Sequence, residues 1–142
     1  SVISGAEAEM GAAEEAMKAA GAKRVVRLKV SGAFHSPIMA YARDGFGEAV
    51  KDVKFSDPKI TLFSNVTGKR IETGAEAKRL CVEQIVSPVR WIDEEASIHG
   101  AGFSQLLETG PGNVLGGLWK SVEGGCPCLP AGTLDQIAAI SL

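Results

Sequence analysis

Apolar residues recur along the chain with two different periods, and these periods predict its helices and strands. Residues 6–20 are rich in Ala and Glu and end before Gly21, a pattern typical of a helix. Every second residue from Val26 to Val30 is apolar and the residues between are charged, which predicts a half-buried antiparallel strand. Residues 2–3 are predicted to end an earlier strand. Strand, helix and strand in this order form half of a split βαβ unit.

After residue 32, helical periods alternate with short apolar runs, which predicts a parallel or mixed sheet covered by helices. Thr73 with Glu76, and Thr133 with Gln136, have the spacing of capping boxes at helix starts. A Pro/Gly/Cys-rich stretch before the last helix is predicted to be a linker. The predicted helices cover residues 37–53, 73–85, 93–99, 113–122 and 133–140, and the predicted strands cover 60–66, which is expected to be buried, and 103–107.

Composition narrows the class of protein. The chain has 142 residues, a net charge of −2 and 45% apolar residues, which suits a folded domain and gives no general attraction to nucleic acid. No apolar run is long enough for a membrane span, and the first residues lack the pattern of a signal peptide. Cys126 and Cys128 are separated by one residue rather than the two typical of zinc or redox motifs. We therefore expect reduced thiols, no metal, and neither nucleic-acid nor membrane partners.

The stretch VSGAFHSPIM, Val30–Met39, contains His35, one of only two histidines, just past a predicted strand. An imidazole at such a position can take a proton from a hydroxyl nucleophile and return it to a leaving group, because it exchanges protons near neutral pH. Such a base needs a third group to hold its other ring nitrogen. Taken alone, His35 leaves a second interpretation open, namely a loop histidine whose ring is satisfied by backbone groups.

Four sequence blocks, taken together, favour the first interpretation. VSGAFHSPIM is followed in order by SNVTG, EQIVSPVRW and ETGPGNVLGGL. In this order the blocks closely resemble the C-terminal half of malonyl-CoA:acyl-carrier-protein transacylases, the acyltransferases of fatty-acid synthesis. The resemblance extends from residue 1 to about residue 122. Each block alone is modestly specific, whereas four in register are strongly so.

The resemblance implies an α/β fold built from parts of two subdomains. Residues 1–31 resemble the second half of a ferredoxin-like small subdomain, and residues 32–142 resemble the C-terminal part of an α/β-hydrolase-like large subdomain. It also implies a two-step exchange through an acyl-serine, in which a malonyl group moves from coenzyme A to acyl carrier protein. Malonyl-CoA is then a substrate, and no cofactor is expected.

Three residues receive roles from the same resemblance. His35 matches the general base that activates the serine and then protonates the departing CoA thiolate. Gln84, in EQIVSP, matches the residue whose main-chain carbonyl holds the imidazole. A neutral carbonyl can fix the tautomer without strongly raising the basicity of the ring. Phe34 matches a position beside the acyl pocket, where Phe accompanies malonyl and Ser accompanies methylmalonyl specificity in related acyltransferases.

The chain departs from the family pattern because it lacks the nucleophile. No Gly-His-Ser-x-Gly elbow occurs in the sequence. The arginine that pairs with the malonyl carboxylate and the donors of the oxyanion hole are also expected in preceding sequence. We therefore expect the C-terminal portion of a longer enzyme, with the missing N-terminal half as its partner and no transfer activity on its own.

Two other functions stay open from the sequence. One is an acyltransferase module of a polyketide or multifunctional fatty-acid synthase, and the other is a non-catalytic half-domain that binds acyl carrier protein. Lys23 and Arg24 add positive charge that can dock an acidic carrier protein, although a solvated strand face explains them equally well. The expected location is the cytoplasm of a bacterium, or a plastid or mitochondrion of a eukaryote.

Overall fold

The structure of the protein is a computed structural model, and it describes residues 1–140. The predicted second subdomain, residues 32–142, therefore ends two residues outside the described part. Helices and short strands alternate along the chain, so the predicted α/β class is confirmed. The helices are α1 (Glu7–Ala19), α2 (Ala40–Ala49), α3 (Gly74–Glu83), α4 (Trp91–Gly100), α5 (Val114–Trp119) and α6 (Leu134–Ala138), and a short 3-10 helix (Pro37–Met39) precedes α2. The strands are β1 (Leu62–Ser64), β2 (Lys69–Ile71), β3 (Leu106–Thr109) and β4 (Cys128–Ala131).

The chain divides into two compact units. Unit 1 contains Ser1–Leu62 and Ile71–Val89, and unit 2 contains Phe63–Arg70 and the residues from Arg90 onward. His35 and Gln84 both belong to unit 1. The predicted subdomain boundary at residues 31 and 32 lies inside unit 1, and it stays a prediction.

In unit 1, α2 and α3 pack against each other. A Cβ added at Gly47 of α2 would lie 3.6 Å from Cγ1 of Val82, so the two helices approach closely there. Lys78 of α3 donates from Nζ to the main-chain oxygen of Val53 at 3.1 Å, and also to that of Lys51. These oxygens follow the last turn of α2, where carbonyl groups lack intrahelical donors. Lys78 therefore ties α3 to the end of α2.

Helix α3 begins at a defined cap. Thr73 Oγ1 accepts a hydrogen bond from the Glu76 N–H at 3.1 Å, as the sequence predicted. The Glu76 carboxylate accepts from the Glu72 N–H at 3.0 Å, so the second half of the capping box is shifted by one residue. At Gly74 a Cβ would lie 2.2 Å from the main-chain oxygen of Phe55, which leaves room only for glycine. These contacts determine where α3 starts.

Unit 2 contains a parallel pair of strands, β3 and β4, of which the sequence predicted only β3. Leu106 of β3 pairs with Cys128 of β4, and Thr109 pairs with Ala131. Trp119 of α5 is buried and donates from Nε1 to the main-chain oxygen of Cys126 at 2.8 Å, which holds α5 to the start of β4.

The predicted capping box at the start of α6 is confirmed. Thr133 Oγ1 accepts from the Gln136 N–H at 3.2 Å, and Gln136 Oε1 accepts from the Thr133 N–H at 3.1 Å. Two N–H groups of the first turn are thereby satisfied reciprocally. The chain can thus leave β4 and enter α6 through only two residues.

The strand predicted at Val26–Val30 is wrong. The segment has no strand partner within residues 1–140, and its three alternating apolar side chains are 56–62% exposed. Arg27 instead binds two carboxylates of α1, those of Glu7 at 2.6 Å and Glu14 at 2.8 Å. Alternation in sequence marks the face that a strand would bury, but a ladder also needs a neighbouring strand.

Other strand predictions are only partly correct. The strand predicted at 60–66 is reduced to the three residues of β1, and Ile60 is 81% exposed rather than buried. The strand predicted at 103–107 begins three residues later, as β3. Neither β2 nor β4 was predicted, and β4 lies in the stretch expected to be a linker. Short strands of three or four residues carry too little periodicity to be recognised.

Two acidic side chains are buried in α4. Glu94 is 9% exposed and Glu95 is 6% exposed, and among the described residues Glu94 Oε2 and Glu95 Oε1 have no hydrogen-bond partner. Burial raises the pKa of Glu94. The folded state therefore binds this proton more tightly than the unfolded state. The resulting stabilisation is present in full below the ordinary pKa of a glutamate and is lost as the pH rises through the folded-state pKa.

We expect the free energy of unfolding to fall as the pH rises above the ordinary pKa of a glutamate and through the raised pKa of Glu94, and Glu94→Gln to remove part of this fall because an amide does not ionise. Urea unfolding at several pH values measures it. Glu9→Gln, which changes an exposed carboxylate of α1, is the matched control and should leave the pH dependence unchanged. Equal pH dependence in the parent chain and Glu94→Gln would contradict the expectation.

Candidate active site

His35 lies in a tight turn that its neighbours hold in place. Ser36 is buried, and its Oγ donates to the main-chain oxygen of Ala33 at 2.7 Å, which closes the turn around His35. His35 has a φ of 60°, and it is the only non-glycine residue within 1–140 with a positive φ. Such backbone strain persists only where surrounding contacts enforce it, and it concentrates at functional sites. The His35 side chain is exposed rather than turned into the interior.

The residues after His35 fix the direction in which the chain leaves the turn. Pro37 restricts the residue before it to extended conformations, and Ser36 has a φ of −133° and a ψ of 160°. The same proline then opens the 3-10 helix, because a missing N–H costs nothing in a first helical turn. The Met39 N–H donates to the Ser36 oxygen at 3.0 Å, and α2 follows directly.

The partner of His35 is the end of α3. His35 Nδ1 lies 3.0 Å from the main-chain oxygen of Gln84, the residue that caps α3. In a continuing α-helix this oxygen would accept from the N–H four residues later, but that residue is Pro88, which has none. Its remaining main-chain donor is Ser87, at a long 3.3 Å. The proline therefore leaves a carbonyl available for the imidazole.

This arrangement prepares the other ring nitrogen for acid–base chemistry. When Nδ1 carries the proton and donates it to Gln84 O, Nε2 has a free lone pair that can accept a proton. The accepting oxygen stands at the C-terminal end of α3, where the aligned peptide dipoles place partial negative charge. The imidazole is thus held by a main-chain oxygen rather than by a carboxylate.

The other predicted site residues are Phe34, Lys23 and Arg24. Phe34 is 44% exposed, and its ring approaches Gly32, where an added Cβ would lie 3.7 Å from Phe34 Cζ. Lys23 and Arg24 are exposed, and they precede the extended segment rather than a strand. The structure therefore brings His35 and Gln84 into contact but adds no geometric role for Lys23 and Arg24.

Sequence analysis did not identify Ser36 and Pro88 as residues that shape the site. Both belong to Ser-Pro pairs: Ser36-Pro37 begins the 3-10 helix that leads into α2, and Ser87-Pro88 follows the end of α3. A Ser-Pro pair indicates a turn, but only the folded chain shows that the two turns face each other.

The Cys128 thiol does not offer an alternative nucleophile. Burial raises the pKa of the Cys128 thiol, and the negative charges of Glu108 and Cys126 raise it further. A raised pKa keeps the thiol protonated, whereas a nucleophilic cysteine requires the thiolate.

Within residues 1–140, no cluster of three or more His, Cys, Asp or Glu side chains is arranged to hold a metal ion. Over the same range, no helix has both the length and the apolar character needed to cross a bilayer.

Comparisons with known proteins identify related sequences. The chain is 32% identical over 139 residues to the malonyl CoA-acyl carrier protein transacylase of Haemophilus influenzae. The aligned region covers 98% of this chain but only 45% of that protein. The similarity to malonyl-CoA:acyl-carrier-protein transacylases predicted from four sequence blocks is thereby confirmed. The chain spans less than half the length of these relatives. No protein-family model matches the sequence.

Solved structures give the same result. An acyl-carrier-protein S-malonyltransferase from Burkholderia pseudomallei matches with a TM-score of 0.87 and 32% identity over 94% of this chain and 44% of that one. A malonyl-transacylase in complex with its type II PKS acyl-carrier protein matches with a TM-score of 0.85 and 33% identity, over 94% of this chain and 43% of that one. The fold of the described residues is therefore that of part of these enzymes.

We expect Pro88→Ala to weaken the contact between His35 Nδ1 and Gln84 O, because the new N–H at residue 88 can donate to the same oxygen. Loss of about 1 kcal/mol, the net value of one hydrogen bond, would change the tautomer ratio of His35 about fivefold. Long-range ¹H–¹⁵N spectra of the imidazoles measure this ratio. Pro111→Ala, in an exposed turn of unit 2, should leave the His35 signals unchanged. Unchanged His35 signals in Pro88→Ala would contradict the expectation.

Proposed function

We propose that this chain is the C-terminal part of a malonyl-CoA:acyl-carrier-protein transacylase, in which His35 is the general base. One observation carries the proposal: His35 Nδ1 lies 3.0 Å from a main-chain carbonyl at the end of α3. That contact occurs in a chain of which 98% aligns with a transacylase. An imidazole held through Nδ1 by a neutral oxygen suits repeated proton transfer at Nε2.

The proposed reaction has two half-reactions. In the first, His35 Nε2 takes the proton of a serine hydroxyl while the serine oxygen attacks the thioester carbonyl of malonyl-CoA. The thioester C–S bond then breaks, and the imidazolium returns the proton to the CoA thiolate. In the second, His35 takes the proton of the carrier-protein thiol while the sulfur attacks the ester carbonyl of the acyl-serine. The ester C–O bond then breaks, and the imidazolium returns the proton to the serine oxygen.

The serine, the arginine for the malonyl carboxylate and the oxyanion-hole donors belong, in this proposal, to a segment outside the 142 residues. Exposed apolar side chains support such a partner segment. Val26, Leu28 and Val30 are 56–62% exposed along one extended stretch of unit 1. Apolar residues grouped in this way usually mark an interaction surface rather than free surface. We infer that a strand of the missing segment pairs with residues 26–30.

The subdomain assignment belongs to the same proposal. Residues 1–31 would complete a ferredoxin-like small subdomain, and residues 32–142 would form the end of an α/β-hydrolase-like large subdomain. Helix α1 between two segments without regular secondary structure is consistent with the first assignment, and the parallel pair β3–β4 with its neighbouring helices supports the second. Carrier protein would dock through positive charge at Lys23 and Arg24, which are exposed. Arg27 is already bound to Glu14 and Glu7, so it contributes less.

The identity of the carrier protein separates two versions of the proposal. One matched protein is named an acyl-carrier-protein S-malonyltransferase, and another was solved with a type II PKS acyl-carrier protein, at 32% and 33% identity to this chain. Similarity at these levels does not favour either carrier protein, so we propose the malonyl transfer itself and leave both carriers as substrates to compare. A non-catalytic half-domain is the weaker hypothesis, because it gives no reason for the strained turn at His35.

The proposal is tested by a chimera in which this chain replaces the matching segment of the Haemophilus influenzae transacylase. We expect the chimera to transfer malonyl from CoA to acyl carrier protein, and the 142-residue chain alone to give no transfer above background. His35→Gln in the chimera should lower kcat/KM by about 10²- to 10⁴-fold, the usual contribution of a general base.

His99→Gln is the matched control, since it removes the other histidine and should leave kcat/KM unchanged. Thermal unfolding shows whether each variant is folded. A folded chimera without malonyl transfer, or a His35→Gln chimera with the parental rate, would overturn the proposal.

We expect Phe34→Ser to relax selectivity for the acyl group. A smaller side chain beside the acyl pocket leaves room for one more methyl group, and a single methylene or methyl is worth about 10-fold or more in kcat/KM. The ratio of kcat/KM for malonyl-CoA to that for methylmalonyl-CoA should therefore fall about tenfold in the chimera. Phe103→Ser changes a phenylalanine of similar exposure, 43% against 44%, and should leave the ratio unchanged. An unchanged ratio in Phe34→Ser would remove the specificity role.

A further inference from the structure

The side chain of Gln84 reaches the same ring nitrogen as its main-chain oxygen. Gln84 Nε2 lies 3.2 Å from His35 Nδ1, while Gln84 O lies 3.0 Å from that atom. One group is a hydrogen-bond donor and the other is an acceptor. A single nitrogen cannot use both, because Nδ1 either carries a proton or presents a lone pair.

The orientation of the Gln84 amide is set by a second contact. Gln84 Nε2 donates to the main-chain oxygen of Ser87 at 3.1 Å. If the amide were reversed, Gln84 Oε1 would face the Ser87 oxygen, and two acceptors would oppose each other. The amide nitrogen therefore stays on this side, with one hydrogen for Ser87 O and the other directed toward His35 Nδ1.

The two groups of Gln84 favour different tautomers of His35. The main-chain oxygen favours the tautomer protonated at Nδ1, in which Nε2 can accept a proton. The side-chain amide favours the tautomer protonated at Nε2, in which Nδ1 accepts from the amide and Nε2 cannot act as a base. Each contact is a single hydrogen bond, and the two have similar lengths. Their free energies are therefore of similar size, and both tautomers are populated.

We propose that the Gln84 side chain is a positioning residue that restrains His35, by stabilising the tautomer in which Nε2 is already protonated. Its effect on activity rests on the proposed function, whereas its effect on the tautomer ratio does not. The main-chain oxygen is present whatever side chain stands at position 84. Substitution at Gln84 therefore removes the restraint and leaves the favourable acceptor in place.

The experiment uses the ¹⁵N-labelled 142-residue chain at about pH 9, where imidazoles are neutral, and long-range ¹H–¹⁵N spectra that distinguish the two tautomers. The chain has only two histidines, so His99→Gln assigns the signals. In Gln84→Met, which keeps the length but has no donor, we expect the ratio of the Nδ1–H to the Nε2–H tautomer to rise about fivefold. In Gln84→Glu the carboxylate adds an acceptor, and the ratio should rise further. Gln105→Met, in unit 2, is the matched control and should leave the ratio unchanged.

An unchanged or lower ratio in both Gln84→Met and Gln84→Glu would overturn the restraint. In the chimera, Gln84→Met should raise kcat/KM by up to about fivefold with KM unchanged, because it enlarges the competent fraction of His35. A shifted tautomer ratio in the chain together with an inactive parental chimera would support the restraint and reject the transacylase proposal. An active parental chimera with no tautomer shift in either variant would support the transacylase proposal and reject the restraint.

Discussion

One hydrogen bond between an imidazole and a main-chain carbonyl organises unit 1. It joins His35 and Gln84, which are 49 residues apart in the chain. The bond needs the 3-10 helix and α2 to follow His35 and α3 to end at Gln84, and it needs α2 and α3 to pack at a constant distance. The close approach at Gly47 and the two hydrogen bonds of Lys78 supply that distance. The remaining contacts of the unit are consistent with this single requirement.

A helix end holds the His35 imidazole, whereas a carboxylate holds the imidazole in Ser-His-Asp sites. A carboxylate beside an imidazole carries a full charge, whereas the oxygen of Gln84 carries only the partial charge of a peptide at a helix C-terminus. The ring is therefore oriented by a neutral group. The same oxygen is available only because Pro88 cannot donate to it. The orientation of the His35 ring and the availability of the Gln84 oxygen thus depend on backbone geometry. Substitution of side chains elsewhere does not easily change that geometry.

The exposed apolar side chains and the buried glutamates are consistent with a chain that is part of a longer enzyme. Few side chains are buried in the described residues, and the apolar side chains of residues 26–30 remain exposed. Glu94 and Glu95 are buried with an unpartnered oxygen each, which lowers stability rather than raising it. Both features fit a chain whose relatives are more than twice as long. In the proposed enzyme, additional sequence would cover the apolar stretch and complete the site around His35.

The sequence by itself determined the helices, because their signals are local. Gly21 follows the end of α1, Thr73 and Thr133 cap α3 and α6, and the Ser87-Pro88 pair follows the end of α3. The four sequence blocks also pointed to the transacylases, since those residues occur in a specific order. The role of His35 stays a prediction, as do those of Gln84, Phe34, Lys23 and Arg24.

Only the tertiary structure decided the features that depend on distant neighbours. Residues 26–30 alternate like a strand but have no strand partner within residues 1–140, whereas β4 forms in a Pro/Gly/Cys-rich stretch because β3 lies beside it. The positive φ of His35 and the approach of the Gln84 amide to its ring likewise follow from packing. Strand pairing and side-chain contacts join residues that are far apart in the chain, and a local pattern contains no information about the partner.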